Sequence, residues 1–228
     1  MIKLEKINKI YKVGGEDFFA LRDIDLEIPD GGYVSICGAS GSGKTTLLNI
    51  LGCLDEPSSG TYMMDDIDIS KASSSKKSRI RNEKVGFVLQ DFALVNTQTV
   101  IYNVMLPLLY SKVPYHKIRG MAMNALEKVG LKDLAQKKAN QLSGGQRQRV
   151  AIARAIVIEP SLILADEPTG QLDSATGMQI MQLLGSFNKN GTTLIVVTHD
   201  QKVAAMSDRI VTLSDGKVIQ DSLKSDIL

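Results

Sequence analysis

The sequence predicts an α/β fold: a parallel core sheet, an antiparallel β lobe at its start and a helical insertion in its middle. Four short apolar runs, Tyr33–Cys37, Val85–Leu89, Leu162–Ala165 and Leu194–Thr198, each end in a polar or glycine-rich element. That is the pattern of buried parallel strands whose carboxyl ends face a ligand. Between the first run and the helical run Thr45–Leu51 lies Gly38-Ala39-Ser40-Gly41-Ser42-Gly43-Lys44-Thr45-Thr46, a complete phosphate-binding loop, G-x-x-x-x-G-K-[ST]. From Phe92 to about Arg154 the pattern becomes mainly helical.

Taken in order, Lys3–Tyr11 and Leu21–Ile28 alternate apolar and polar residues, the period of half-buried antiparallel strands. Asp30-Gly31-Gly32 is a turn leading into the first core strand. Tyr62-Met63-Met64 and Ile67-Asp68-Ile69 flank Asp65-Asp66 as a hairpin. Residues 71–84 carry serines and six basic side chains, and read as a solvated helix or loop. Met121–Val129 is a helix closed by Gly130. Val150–Ile158 is almost all small or apolar, a buried helix stopped by Pro160.

The chemistry follows from the loop. Glycines between 38 and 43 let successive N–H groups turn inward, and the helix that follows points its positive end at the same place. Lys44, exposed in the empty loop, is expected to reach the β- and γ-phosphates, and the Thr45 hydroxyl to ligate Mg²⁺. At the other strand ends, Asp166 is expected to hold that metal and Glu167 to act as general base toward the attacking water. Gln90 then reaches the metal or that water, and His199 the γ-phosphate. His116 lies in a polar stretch and is read as solvated.

A second glycine-rich turn, Leu142-Ser143-Gly144-Gly145-Gln146, also opens a helix that Ser143 can cap, presenting hydroxyl, N–H groups and dipole to a phosphate. One nucleotide needs only one such cradle. Each is therefore expected to grip the opposite side of an ATP, with the second supplied by another subunit.

Composition narrows the class further. Formal net charge is +2, from 27 basic and 25 acidic residues, so no global field points to nucleic acid. Cys37 and Cys53 lack metal-ligand spacing and read as buried thiols. Met1–Lys6 alternates like a strand rather than a signal peptide, and no stretch approaches the ~20 consecutive apolar residues of a membrane span. A soluble chain is the expectation.

These motifs, in this order and across essentially the whole chain, resemble the ATP-binding cassette (ABC) ATPases. Gly38–Thr46 is similar to Walker A, Gln90 to the Q-loop and Leu142–Gln146 to the family signature. Leu162–Glu167 resembles Walker B, Leu172-Asp173 the D-loop and His199 the switch histidine. Tyr11 sits where the family places an aromatic residue that stacks on adenine. Leu51–Asp55, Pro57–Gly60 and Ala165–Gly170 resemble the macrolide-exporter and lipoprotein-release (MacB/LolD-type) branch. Gln171 departs from that branch's asparagine, and Leu89 from the phenylalanine common before Gln90.

The resemblance implies an α/β P-loop ATPase core of about 1–90 and 155–228, with the antiparallel β subdomain, and a helical signature subdomain of about 91–154. It implies an ATP- and Mg²⁺-dependent ATPase that works as a head-to-tail dimer. Its nucleotide contacts would be Tyr11, Gly38, Ala39, Ser40, Gly41, Ser42, Gly43, Lys44, Thr45 and Thr46, with Ser143, Gly144, Gly145 and Gln146 facing the partner's nucleotide. Glu167, His199 and Gln90 would be catalytic, and Thr45, Gln90 and Asp166 would hold the metal. The expected partner is a separate transmembrane permease, which places the chain peripherally on the cytoplasmic face of the membrane, in export or mechanotransmission. The alternative is a soluble ABC ATPase in translation or DNA repair, where two cassettes or a long coiled-coil insertion are usual. A third reading, an ATP-gated scaffold without hydrolysis, is disfavoured by the presence of both Glu167 and His199.

Overall fold

The alternating N-terminal segment forms two long antiparallel strands, β1 (Ile2–Val13) and β2 (Glu16–Ile28), joined at Gly14-Gly15. Both exceed the runs read from alternation, because pairing of Tyr11 with Phe18 and Val13 with Glu16 carries the ladder past the last buried residue. This computed structural model describes residues 1–224. Next come β3 (Tyr33–Gly38), α1 (Lys44–Leu51), β4 (Ser59–Met64), β5 (Ile67–Asp68) and α2 (Ser74–Lys84). The β4–β5 hairpin turns at Asp65-Asp66 as expected, with Met64 opposite Ile67, and completes a four-stranded sheet ordered β2-β1-β4-β5.

Leu47, Leu48, Ile50 and Leu51 of α1 are fully buried, each worth about 1.5–3 kcal/mol relative to exposure. The basic segment read as solvated is the helix α2, and only part of it faces water. Lys77 is buried against Glu56 at 2.7 Å, and the Arg81 guanidinium donates to the Cys53 carbonyl at 2.8 Å. Cys53 is buried, whereas Cys37, expected to be buried, is half-exposed at the end of β3; neither is in a disulfide.

Two compact units divide the chain: Met1–Arg81 with the segment from Thr193, and Asn82–Thr192. The second contains β6 (Val85–Val88), α3 (Val100–Leu109), α4 (Tyr115–Lys128), α5 (Gly144–Ile156), β7 (Leu162–Asp166) and α6 (Ser174–Lys189). Val100, Val104 and Leu108 of α3, and Ile118, Ala122 and Leu126 of α4, repeat at helical spacing and are buried. β6 and β7 are parallel, Val85 opposite Leu162 and Val88 opposite Ala165. The buried helix α5 ends at Ile156, two residues before the end read from sequence. Glu159, just before Pro160, turns left-handed (φ 52°), and Pro160 has no N–H with which to continue the helix.

The first unit is completed by β8 (Thr193–Val197), α7 (Gln201–Ala204), β9 (Arg209–Ser214) and β10 (Lys217–Leu223). β3 runs parallel to both β8 and β9, with Tyr33 opposite Leu194 and Val34 opposite Arg209. β9 and β10 form an antiparallel hairpin. Among the described residues, no helix is long and apolar enough to cross a membrane.

Candidate nucleotide site

In the first unit the loop between β3 and α1 is built to hold an anion. Gly43 (φ 102°) is the N-cap of α1, and a Cβ there would lie 2.5 Å from the Ala20 carbonyl oxygen, so only glycine fits. Lys44, expected to be exposed, is half-buried. Its ammonium donates to the carbonyls of Gly38 at 2.9 Å and Ala39 at 2.7 Å. The loop thus holds its own cation at the N-terminus of α1, and a cation beside a helix N-terminus suits a phosphate. Ser42 is buried with its hydroxyl unpartnered. Thr45 is exposed in the first turn of α1, and Thr46 is half-buried beside it.

Parallel pairing sets the neighbouring strand end. Because Ile36 pairs with Val197, the phosphate loop and His199 leave the same edge of the sheet. His199 is exposed, between Thr198, whose hydroxyl accepts from Asp200 N at 3.0 Å, and Asp200, which caps α7. In the second unit, pairing of Val88 with Ala165 likewise brings the ends carrying Gln90 and Asp166-Glu167 to one edge. Glu167 sits in the left-handed region (φ 44°), and its carbonyl accepts from Gly170 N at 3.0 Å. The Gln90 amide nitrogen lies where a Cβ on Gly170 would come within 3.0 Å, so the Gln90 side chain rests on the turn that follows Glu167.

The second glycine-rich turn is a helix N-terminus. Ser143 Oγ accepts from Gln146 N at 3.3 Å, and Gln146 Oε1 accepts from Ser143 N at 3.1 Å, a reciprocal capping box. Accepting that bond leaves the Ser143 hydroxyl hydrogen available to donate to an incoming anion. The two glycines also have a packing reason: a Cβ on Gly145 would meet Thr176 Cγ2 at 2.5 Å, and one on Gly144 would meet Leu172 at 3.3 Å. Asp173 of the Leu172-Asp173 pair caps α6, accepting from Ala175 N, Thr176 N and the Thr176 hydroxyl. Those bonds, the Thr176 hydroxyl first, hold its carboxyl below the usual range.

Tyr11 lies on β1, half-buried, with its phenol donating to Asp55 Oδ2 at 2.7 Å. Burial first, and then the Asp55 carboxylate, push its pKa up.

Three contributors were not read from the sequence. The β9–β10 turn braces the phosphate loop through Gly216 N, which donates to the Ser42 carbonyl at 3.1 Å. Asp215-Gly216 between apolar alternating runs was the available signal, a strong hairpin dipeptide. Arg154 on α5 donates to the carbonyls of Phe92, at 2.9 Å, and Ala93, just past Gln90, where both residues are left-handed. Burial lowers the Arg154 pKa. Lys9 and Asp55 join Tyr11 in one cluster, and no local pattern announces them.

Comparison with known proteins agrees with this geometry. A family model described as ABC transporter matches residues 21–170. The chain is 49% identical over 221 residues to the ABC transporter ATP-binding protein YvrO of Bacillus subtilis, covering 97% of this chain and 96% of that protein. It is 46% identical to the macrolide export ATP-binding/permease protein MacB of Campylobacter fetus, covering 99% of this chain but 35% of that longer protein. Among solved structures, a dimeric post-hydrolysis state of the ATP-binding cassette MJ0796, bound to ADP and Pi, superposes with a TM-score of 0.90 at 45% identity, over 98% of this chain and 99% of that one. The archaeon Methanocaldococcus jannaschii is the source of MJ0796. With a family model over most of its length and relatives of this identity, the chain belongs to the ABC transporter family and is an ATP-binding, ATP-hydrolysing cassette of it.

Proposed function

We propose that this chain is the motor subunit of a transporter, driving a separate membrane permease through the ATP-dependent closure of two cassettes head to tail. The observation that carries the reading is the coexistence of two anion cradles, the loop around Lys44 and the capped N-terminus at Ser143, where one nucleotide uses one. The dimeric MJ0796 structure and the joining of cassette and permease in one MacB chain support it. The chain then sits at the cytoplasmic face of the membrane, held there by the permease. Residues of about 91–154 form the arm that meets it, and about 1–90 and 155–228 form the core.

Site roles follow from donor chemistry. Lys44 and the N–H groups from Gly38 to Thr46 bind the phosphates, Tyr11 stacks on the base, and Ser143, Gly144, Gly145 and Gln146 close over the partner subunit's nucleotide. Glu167 takes the proton of the attacking water, with Gln90 and His199 orienting water and γ-phosphate. Mg²⁺ fits the donor set, because the Thr45 hydroxyl, the Asp166 carboxylate and the Gln90 amide oxygen are hard oxygen ligands. Among the described residues no cluster of three His, Cys, Asp or Glu side chains stands ready for a metal. That is the arrangement of an ion shared with phosphates, which it would screen while the chain holds them.

Lys44→Ala tests the loop. Two charge-assisted bonds at about 1.5–3 kcal/mol each place the loss of Mg-ATP affinity at roughly a hundredfold or more. The nucleotide-free protein should melt near the parental temperature, since the Lys44 ammonium donates to Gly38 and Ala39, carbonyls of its own loop. Unchanged affinity by titration calorimetry rules out the phosphate-loop assignment.

A further inference from the structure

We propose that Asp55 and Lys9 form a latch that holds the Tyr11 ring in place, and that this latch sets how tightly the chain takes the base of its nucleotide. The proposal rests on the reading of Tyr11 as the base platform and deepens it. Tyr11 and Lys9 lie two residues apart on β1, so their side chains share one face of the strand. The Asp55 carboxylate bridges them. One oxygen accepts from the Tyr11 phenol at 2.7 Å, and the other accepts from Lys9 Nζ at 2.5 Å. Lys9 Nζ also stands 4.8 Å from the centroid of the Tyr11 ring, over its face. Against the burial and the Asp55 carboxylate that raise the pKa of the same phenol, the Thr46 side chain works to lower it.

Asp55 is itself fixed from behind. Leu54 N and Asp55 N both donate to the Asn49 carbonyl, at 2.8 and 3.2 Å. α2 grips the residues on either side through the Arg81–Cys53 bond and the Lys77–Glu56 pair, and Lys9 adds a bond to the Glu56 carbonyl at 2.8 Å. The Lys9 side chain is only 12% exposed, so this pair is less screened than a surface one. Although burial works to raise the Asp55 pKa, the Lys9 and Tyr11 hydrogen bonds prevail and keep the carboxyl ionised.

With ammonium on one face, the Tyr11 ring offers its opposite face to a base. A ring already held loses little freedom when the base stacks, and that is the origin of the affinity gain. The latch therefore acts on the base and leaves phosphate binding alone. Asp55 and Lys9 are positioning residues, with no atom of their own on the reacting groups.

Titrations of the purified protein with Mg-ATP and with magnesium tripolyphosphate, which lacks a base, separate the contributions. Asp55→Ala and Tyr11→Phe each free the ring and should weaken Mg-ATP about three- to tenfold. Both should bind tripolyphosphate as the parent does, and Tyr11→Ala should lose more ATP affinity than either. If Tyr11→Ala weakens ATP but the other two variants do not, the platform stands and the latch is overturned. If Tyr11→Ala binds ATP like the parent, platform and latch fall together. Equal weakening of both ligands also overturns the latch, because the disturbance then lies in the phosphate loop. Tyr11→Phe keeps the ring's packing and decides the matter if Asp55→Ala fails to fold.

Discussion

Glu167→Gln is expected to lower ATP hydrolysis by about 10²–10⁴-fold, the usual cost of losing a general base. The replacement keeps size and hydrogen bonding but cannot accept a proton from water. The left-handed backbone at this position is equally strained for Glu and Gln, so the loss is one of chemistry rather than of folding. Nucleotide binding should survive, since Lys44, Thr45 and Asp166 are untouched. With Mg-ATP the closed dimer should persist and elute as a larger species in size-exclusion chromatography. Parental turnover in the variant rules out Glu167 as the base.

Ser143→Arg is expected to abolish turnover while sparing nucleotide binding to the single subunit. On the proposed composite site, the bulky cation would fill the place where the partner subunit's γ-phosphate docks. Ser143 also caps α5, and loss of such a cap typically costs about 0.5–2 kcal/mol, so this variant alone mixes two effects. Ser143→Asp separates them. Aspartate caps a helix as well as serine does, yet sets a negative charge against the incoming phosphate. It should keep the parental melting temperature and still lose turnover. Hydrolysis at the parental rate in both variants means that Ser143 does not face a nucleotide, and the composite-site reading fails.

Much of the site was legible in the sequence because its parts are local. A strand, five loop residues and a helix fix the backbone of Gly38–Thr46, and the Gly-Lys-Thr register carries its chemistry within one short window. The capping box at Ser143 and Gln146 is a three-residue relation on one helix, also readable in the chain. The apolar runs announced β3, β6, β7 and β8, each buried, and so announced which residues stand at their ends.

Tertiary structure alone decided the supports. Asp55 meets Tyr11 across 44 positions of sequence, and Lys77, placed by its charged neighbours among solvated residues, turns inward to Glu56. The β9–β10 hairpin had a visible turn signal, but its role in bracing Ser42 did not. Lys44 was expected to be exposed in the empty loop, yet the Gly38 and Ala39 carbonyls accept from its ammonium and hold it half-buried. Backbone-directed motifs depend on neighbours along the chain and leave a short-range pattern. Side-chain pairs between elements depend on which strands and helices come to lie beside each other, and no local period records that.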